Sequence, residues 1–556
     1  MVLENLVATI GKTKLADFIS NPKGSRQFQQ FIKLGNKELR NGAIEAICKQ
    51  VPELAMRNIY AILTLEKIVT YGLKSDEEFT TEKILKPVMT DRKTVEVLLF
   101  HRLGCKFLNK LYMHPLIKPA LKKQLCQLVM IPRSVEIFGD SKEKLRQFYL
   151  ETCARCVDKE LLGFEIVQRL MRQAVMDFPV SEDRQFNEDI LNICADGLAH
   201  LLSSRDGVVV VVKLLGVASA KQKKNLVKEL KGKFGEMSRN SVTCVVILRL
   251  LECVDDTVLV AKSVLGELIA VGIEHMKDAS GRMPFMYVLE GLEMKTGRCY
   301  FPPDRDLLAS SAIPTSLKEK ELKSSELKSK LVPLIFAQVM EDQNCAELVK
   351  DENGKDVVAG IAKNLNQKMD FTVLTNLVMN SLGGEIEDIS QAQVSCINIL
   401  LKEFPQQDVI SSCWSNLVAL LSRSGSDWKT RLVLLCQGLG SFIIMNLLKS
   451  NNEAVTTSVL GALLAVKDQL MSLEGESATK GTEFLKQAIS NVTSASTTEW
   501  SETIKKFEPV IEVPSASKRV VEPESKRSKT ELFSEDEEED QEEEADDDWE
   551  NEDEFF

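Results

Sequence analysis

From about residue 15 to about residue 495 the chain keeps a single period. Apolar residues recur at three and four, loops are short, and Pro and Gly are rare inside segments. Nothing reads as part of a sheet. The five valines at 208–212 have strand propensity, but they lead into KLLGVASAKQKKNLVKELKGKF, whose period is helical, so the run is read as a buried helix. About 480 residues of helix with no internal domain boundary exceed what one hydrophobic core can serve, and the physical solution is a stack of repeats. A phrase does recur: a small residue opens an apolar helix, a polar or basic loop follows, then a second amphipathic helix. The small or turn residue falls at Gly24, Ala61, Gly104, Gly163, Gly207, Thr243 and Gly281, at intervals of 37, 43, 59, 44, 36 and 38 residues. The long interval leaves room for a degenerate copy near Pro132. This pattern predicts an all-α stack of helical repeats rather than a globular enzyme.

Composition changes mark the boundaries. Residues 1–295 read as amino-terminal repeats. Residues 296–330, containing FPPDRDLLASSAIPTSLKEKELKSSELKSK, form an irregular, Pro- and Ser-rich connection running into a charged helix, and repeats resume over 331–498. Residues 499–556 bury too little apolar surface to offset their ordering entropy and are expected to be disordered. Charge divides along the same line. Residues 531–556 hold 17 of the 82 acidic residues and none of the 70 basic ones, so the formal −12 of the chain belongs to its tail and the remainder carries +5. Basic clusters at Lys518 and Arg519, and at Lys526, Arg527 and Lys529, precede the acidic run and suit a nuclear-import signal, although any solvated linker can carry such pairs. The acidic run suits either competition with a polyanionic ligand for a basic face or docking of basic proteins.

Several classes are disfavoured. No apolar run reaches the length of a membrane span, and the start, MVLENLVATIGKTKLADF, lacks the form of a signal peptide, which predicts an intracellular protein without a membrane partner. The 13 cysteines lie scattered on apolar faces, as expected of reduced core residues. Cys153 and Cys156 are the one close pair, and His101, His114, His200 and His275 offer no matching metal spacing, so no metal or cofactor is expected. Asp255, Asp256 and Thr257, directly before VLVAKSVLGEL, read as a helix start with its cap rather than as acid-base catalysts. No phosphate loop or nucleophile elbow occurs, which predicts that the chain is not an enzyme.

Residues 24–50, GSRQFQQFIKLGNKELRNGAIEAICKQ, resemble a Pumilio-type (PUF) RNA-binding repeat. Residues 198–268 are similar to the Puf-A branch of that family, carried by Arg205-Asp206-Gly207, the basic passage from Lys221 through Gly232, and the segment ECVDDT at 252–257. The segment DQLMSLEGESATKGTEFLKQAI at 468–489 resembles the end of that branch's carboxy-terminal, CPL-type region. The resemblance implies a right-handed, armadillo-like superhelix of L-shaped arrangement. It also implies a nucleolar protein that binds RNA with little base preference during assembly of the large ribosomal subunit. Its expected partners are pre-ribosomal RNA ahead of messenger RNA, and pre-ribosomal proteins, with the chain a monomer inside a larger particle. The alternatives are a repressor of particular messages and a helical scaffold for ribosomal or chromatin proteins. Many members of the branch begin with a Lys-rich extension, whereas this sequence enters its repeats within about twenty residues.

In PUF repeats that read sequence, the first and fifth residues of a five-residue helical motif bond a base edge and the second stacks on it. Ser25, Arg26 and Gln29 fit an adenine reader, although any polar helix face can carry such a trio. Cys105, Lys106 and Asn109 keep some polar capacity, as do Phe164, Glu165 and Gln168. The other matching positions are Ile62, Leu63 and Glu66, then Val208, Val209 and Val212, then Cys244, Val245 and Leu248, then Arg282, Met283 and Met286. Valine and leucine cannot read a base edge, and one intact reader discriminates by only about 1–3 kcal/mol. Affinity is therefore expected from phosphate contacts. Lys221, Lys223, Lys224, Lys228, Lys231, Lys233 and Arg239 lie within nineteen residues and form the densest basic segment of the body, suited to a concave, backbone-tracking surface or simply to a solvated face. Lys118, Lys122, Lys123, Lys142, Lys144 and Arg146 form a second cluster.

Overall fold

The repeated small residue has a steric cause. In α1 (Pro22–Leu34) and α5 (Arg205–Val217), Gly24 and Gly207 stand at the third helical position, where the helix start presses on the preceding segment. A Cβ would lie 2.0 Å from the Phe18 carbonyl oxygen at Gly24 and 1.8 Å from that of Leu201 at Gly207. Gly104, Gly281 and Gly354 make the same approach to the carbonyl six residues back. Thr243 uses that carbonyl differently, its hydroxyl donating to Met237 O at 2.8 Å. Ahead of the small residue stands a polar cap. Asn58 Oδ1 accepts from Ala61 N, Ser204 Oγ from Gly207 N, Asp278 Oδ1 from Gly281 N and Asp351 Oδ1 from Gly354 N, each satisfying an amide that the helix leaves unpaired. Cap, two residues, small residue is thus the local code for a repeat.

The computed structural model describes residues 15–492, apart from 131–141, 293–300, 312, 314, 342, 366–367, 383–385, 387–388, 404–406, 423–426 and 474–478. The basic clusters at Lys518, Arg519, Lys526, Arg527 and Lys529, the acidic run and the copy read near Pro132 lie outside the described residues. Eleven helices form a ladder in which each packs on the next: α1, α2 (Ile59–Ser75), α3 (Arg102–Met113), α4 (Glu165–Asp177), α5, α6 (Cys244–Cys253), α7 (Met283–Glu290), α8 (Gly354–Asn364), α9 (Gln391–Glu403), α10 (Ser441–Leu448) and α11 (Lys480–Val492). The intervening helices flank this ladder, and no strand occurs among the described residues.

The valine run belongs to α5, with all five valines buried. That helix packs on α4, on α6, on the turn Leu198–Ser203 and on the helix Pro302–Ser310, so it is apolar on every side because it is covered on every side. Each valine buried this way contributes roughly 1.5–3 kcal/mol. Polar side chains tie successive ladder helices together. Arg249, fully buried in α6, donates to Val212 O of α5 at 3.0 Å and to Glu252 at 2.8 Å. Glu66 pairs with Lys110, Arg282 with Asp356 and Glu290 with Lys363.

One repeat opening differs from the sequence reading. Gly163 has open space around it and lies in the turn before α4, whose cap position is Phe164 and whose third residue is Val167. The motif in this repeat therefore falls on Gln168, Arg169 and Arg172 rather than on Phe164, Glu165 and Gln168. Phe164 offers no side-chain cap, and the missing acceptor comes from the neighbouring helix: Asn109 Oδ1 of α3 accepts from Ile166 N at 3.1 Å.

Candidate nucleic-acid interface

With the register settled, the first motif position is buried in every repeat from α1 to α7. Ser25, Ile62, Cys105, Gln168, Val208 and Cys244 are at most 1% exposed and Arg282 is 8% exposed. These residues face neighbouring elements. Ser25 Oγ lies 3.0 Å from Tyr60 O and 2.8 Å from Thr64 Oγ1, both on α2. Gln168 donates to Leu162 O, His200 O and Ser203 Oγ.

The base-reading assignments change accordingly. Ser25 is a packing residue that also accepts from Gln29 Nε2 at 2.9 Å, so it orients the amide instead of reading a base. Cys105 is fully buried and cannot reach a ligand. Asn109 spends its carbonyl on the α4 amide and its amide on Glu165, so its polar capacity is consumed by the fold. Of the six candidates, Arg26 is exposed, and Gln29, Lys106 and Asn109 are partly exposed. Arg169 and Arg172, missed because Gly163 set the wrong register, both reach Asp206 of α5.

The ladder face is open only in its first part. At the second position, Arg26 and Leu63 are exposed, and Lys106 and Arg169 are partly so. From α5 onward the second and fifth positions largely close: Val209, Val212, Val245, Leu248 and Met286 are at most 7% exposed, and Met283 alone of these stays partly exposed. The segment that the sequence reading assigned to an irregular connection contributes to this. Pro302–Ser310 is helical and packs on α5, and Lys320–Met340 is a helix packed on α7. Between them the chain is pinned to the helix ends. Arg205 pairs with Asp304, Thr315 Oγ1 donates to Gly216 O at 2.9 Å, and Asp255 accepts from Ser316 Oγ and from Leu317 N. Burial opposes ionisation of Asp255, but the Leu317 amide, Lys323 and Ser316 outweigh it and hold the carboxyl down at about 2.

Lys223 belongs to this pinning and not to a ligand surface. It is 3% exposed, and its ammonium donates to Cys253 O at 3.0 Å and to Thr315 Oγ1 at 2.9 Å, with burial pulling its pKa down. The rest of the basic segment behaves otherwise. Lys221, Lys224, Lys228, Lys231, Lys233 and Arg239 are all exposed, and none joins an ion pair among the described residues. Lys221, Lys224 and Lys228 share one face of the helix Ala220–Glu229 by their spacing of three and four. That helix begins in a capping box, Ser219 with Gln222, which fixes its start. Lys231 and Lys233 bracket Gly232, whose φ of +87° makes the turn, and Glu267 accepts the amides of Gly232 and Phe234 to hold it. This helix lies in the flanking row, packed on the turns Leu198–Ser203 and Ala261–Leu265, so the densest free charge is not on the motif positions.

The second basic cluster is largely neutralised. Lys118 pairs with Glu77, Lys142 with Glu182, and Arg146 with Asp183 and Asp189. Among the described residues no group of His, Cys, Asp and Glu has the arrangement of a metal site.

The CPL (NUC119) domain family matches residues 277–412. Pumilio homology domain family member 6 of Saccharomyces cerevisiae is 23% identical over 406 residues, covering 69% of this chain; the chain spans 60% of that relative's length. The crystal structure of human Puf-A is similar in fold, with a TM-score of 0.71 at 17% identity over 87% of this chain and 94% of that one. The crystal structure of human Puf-A in complex with DNA gives a TM-score of 0.67 at 18% identity over the same shares. A CPL segment, a Pumilio relative aligned over 69% of the sequence and this repeat architecture together make the chain similar to Pumilio proteins of Puf-A type.

Proposed function

We propose that the chain is a non-enzymatic RNA-binding protein that holds the phosphate backbone with little base preference and acts in the nucleus and nucleolus during large-subunit ribosome assembly. The observation that carries this reading is the row of six exposed cations that form no ion pair among the described residues, Lys221, Lys224, Lys228, Lys231, Lys233 and Arg239, in a body whose other basic side chains are commonly paired. Phosphate neutralisation needs free charge, and backbone contacts carry affinity without sequence information. The burial of the motif positions beyond α4 argues against reading several bases, and hence against selecting particular messages. The Puf-A neighbour that carries DNA supports the nucleic-acid reading. Pre-ribosomal RNA and pre-ribosomal proteins are the proposed partners. In this reading the repeats of 1–295 supply the RNA surface, and 331–498 extend the stack through the connection at 296–330.

Crosslinking the protein to RNA in cells, with wild type beside a variant carrying Glu at 221, 224, 228 and 231, tests the reading. Pre-ribosomal RNA should dominate in wild type and fall in the variant. A short motif in messenger RNA would support a repressor instead, and absence of crosslinked RNA would support a scaffold for proteins.

A further inference from the structure

The dismantled second cluster leaves two lysines over. Lys122 and Lys123, on the helix Pro119–Met130, have no acidic partner among the described contacts. They line a cavity of roughly 420 Å³ together with Tyr112, Met113, Cys126 and Arg169. This shallow depression, open to solvent, is bordered by three elements: the last turn of α3 supplies Tyr112 and Met113, α4 supplies Arg169, and Pro119–Met130, which packs on α4, forms the third edge. Tyr112 is partly buried beside Cys126. Met113 is 53% exposed, so its thioether is accessible at the rim. Arg169 reaches Asp206 only at 3.4 Å, and that carboxylate is engaged more closely by Arg172, so the Arg169 guanidinium keeps donors to spare. Burial lowers the pKa of Lys122, consistent with an ammonium that lacks a counter-charge in the free protein.

Three cations beside an aromatic ring and a thioether match one chemistry, a phosphate joined to a flat heterocycle. The site lies off the motif track, since the motif residues of α3 are Cys105, Lys106 and Asn109 while Tyr112 and Met113 stand in the following turn. We propose that this cavity seats one nucleotide of the bound RNA, its phosphate on Lys122, Lys123 and Arg169 and its base against Tyr112 and Met113. The proposal rests on the RNA-binding reading and adds a defined contact at a distance from the basic helix Ala220–Glu229 along the sequence.

The test uses the full chain and a short single-stranded RNA carrying 4-thiouridine and a fluorophore. Photocrosslinking followed by peptide mapping should place an adduct on the peptide containing Tyr112 and Met113. The double substitution Lys122→Gln, Lys123→Gln should weaken binding about tenfold and make the slope of log affinity against log salt shallower by about 0.7–1.4, as expected for one or two lost phosphate contacts. Its thermal midpoint should stay unchanged, because neither side chain has an acidic partner among the described residues. Unchanged affinity and slope in this variant, while the 221, 224, 228 and 231 variant loses binding, overturns the proposal and leaves the RNA reading standing. Loss of RNA binding by wild type itself overturns both. Full competition by free adenosine monophosphate for the adduct would reassign the cavity to a free nucleotide.

Discussion

Two neighbouring lysines carry opposite roles here. Lys223 and Lys224 are adjacent in the densest basic segment, yet the first is buried against Cys253 O and Thr315 and the second is exposed without an acidic partner. Lys223→Ala should lower unfolding stability by about 1–3 kcal/mol, because two buried acceptors lose their donor, and should leave RNA affinity unchanged. Lys224→Ala should leave stability within about 0.5 kcal/mol and weaken RNA binding. Urea unfolding and fluorescence anisotropy on both variants check the pair. The same distinction separates Ser25 from Arg26. Residue type and spacing identified the segment, but only the packing of α1 on α2 turns Ser25 inward and Arg26 out. One helical turn presents every direction, and the side that faces a neighbour is set by residues dozens of positions away.

The repeat opening was legible at the level of elements because its physics is local. A cap and a small residue three positions on are written in the chain, and they recover Gly24, Gly104, Gly207 and Gly281 as true openings. Gly163 misled because it sits in a turn, while the opening that matters is capped from outside by Asn109, a contact with no local signature. Gly207→Ala should destabilise by about 1–3 kcal/mol or more, since its Cβ meets the Leu201 carbonyl, whereas Gly163→Ala should fall within about 0.5 kcal/mol. Thermal unfolding of the two variants measures the contrast. The connection pinned across α5 and α6 adds a pH signature. The Asp255 carboxyl is held down at about 2 in the folded protein, against an ordinary aspartate value of 3.8. Its contribution is therefore complete above about pH 4 and is lost as the pH falls towards about 2. Circular dichroism in acid should show a shallower loss of stability over that window for Asp255→Asn than for wild type.

For the whole molecule, the position of free charge decides how nucleic acid can be held. If about five of the six unpaired cations contact phosphates of a single strand, log affinity should fall with log salt at a slope near −3.5, and the slope should be indifferent to base sequence. Titrations of single-stranded homopolymers over a range of salt measure both quantities. A slope near zero, or a large spread among homopolymers, would show that charge does not carry the binding. The class of the fold is legible in the chain, because the helical period and the recurring small residue act over a few residues and admit no sheet. Where basic residues concentrate is legible there too. The tertiary structure alone decided which of those charges remain free, which motif positions face a neighbour, and where the ladder closes. Those outcomes depend on pairings such as Lys223 with Thr315, Arg205 with Asp304 and Asn109 with the α4 amide, which join residues 57 to 99 positions apart. Desolvation and pairing act between surfaces brought together by stacking, and no local pattern encodes them.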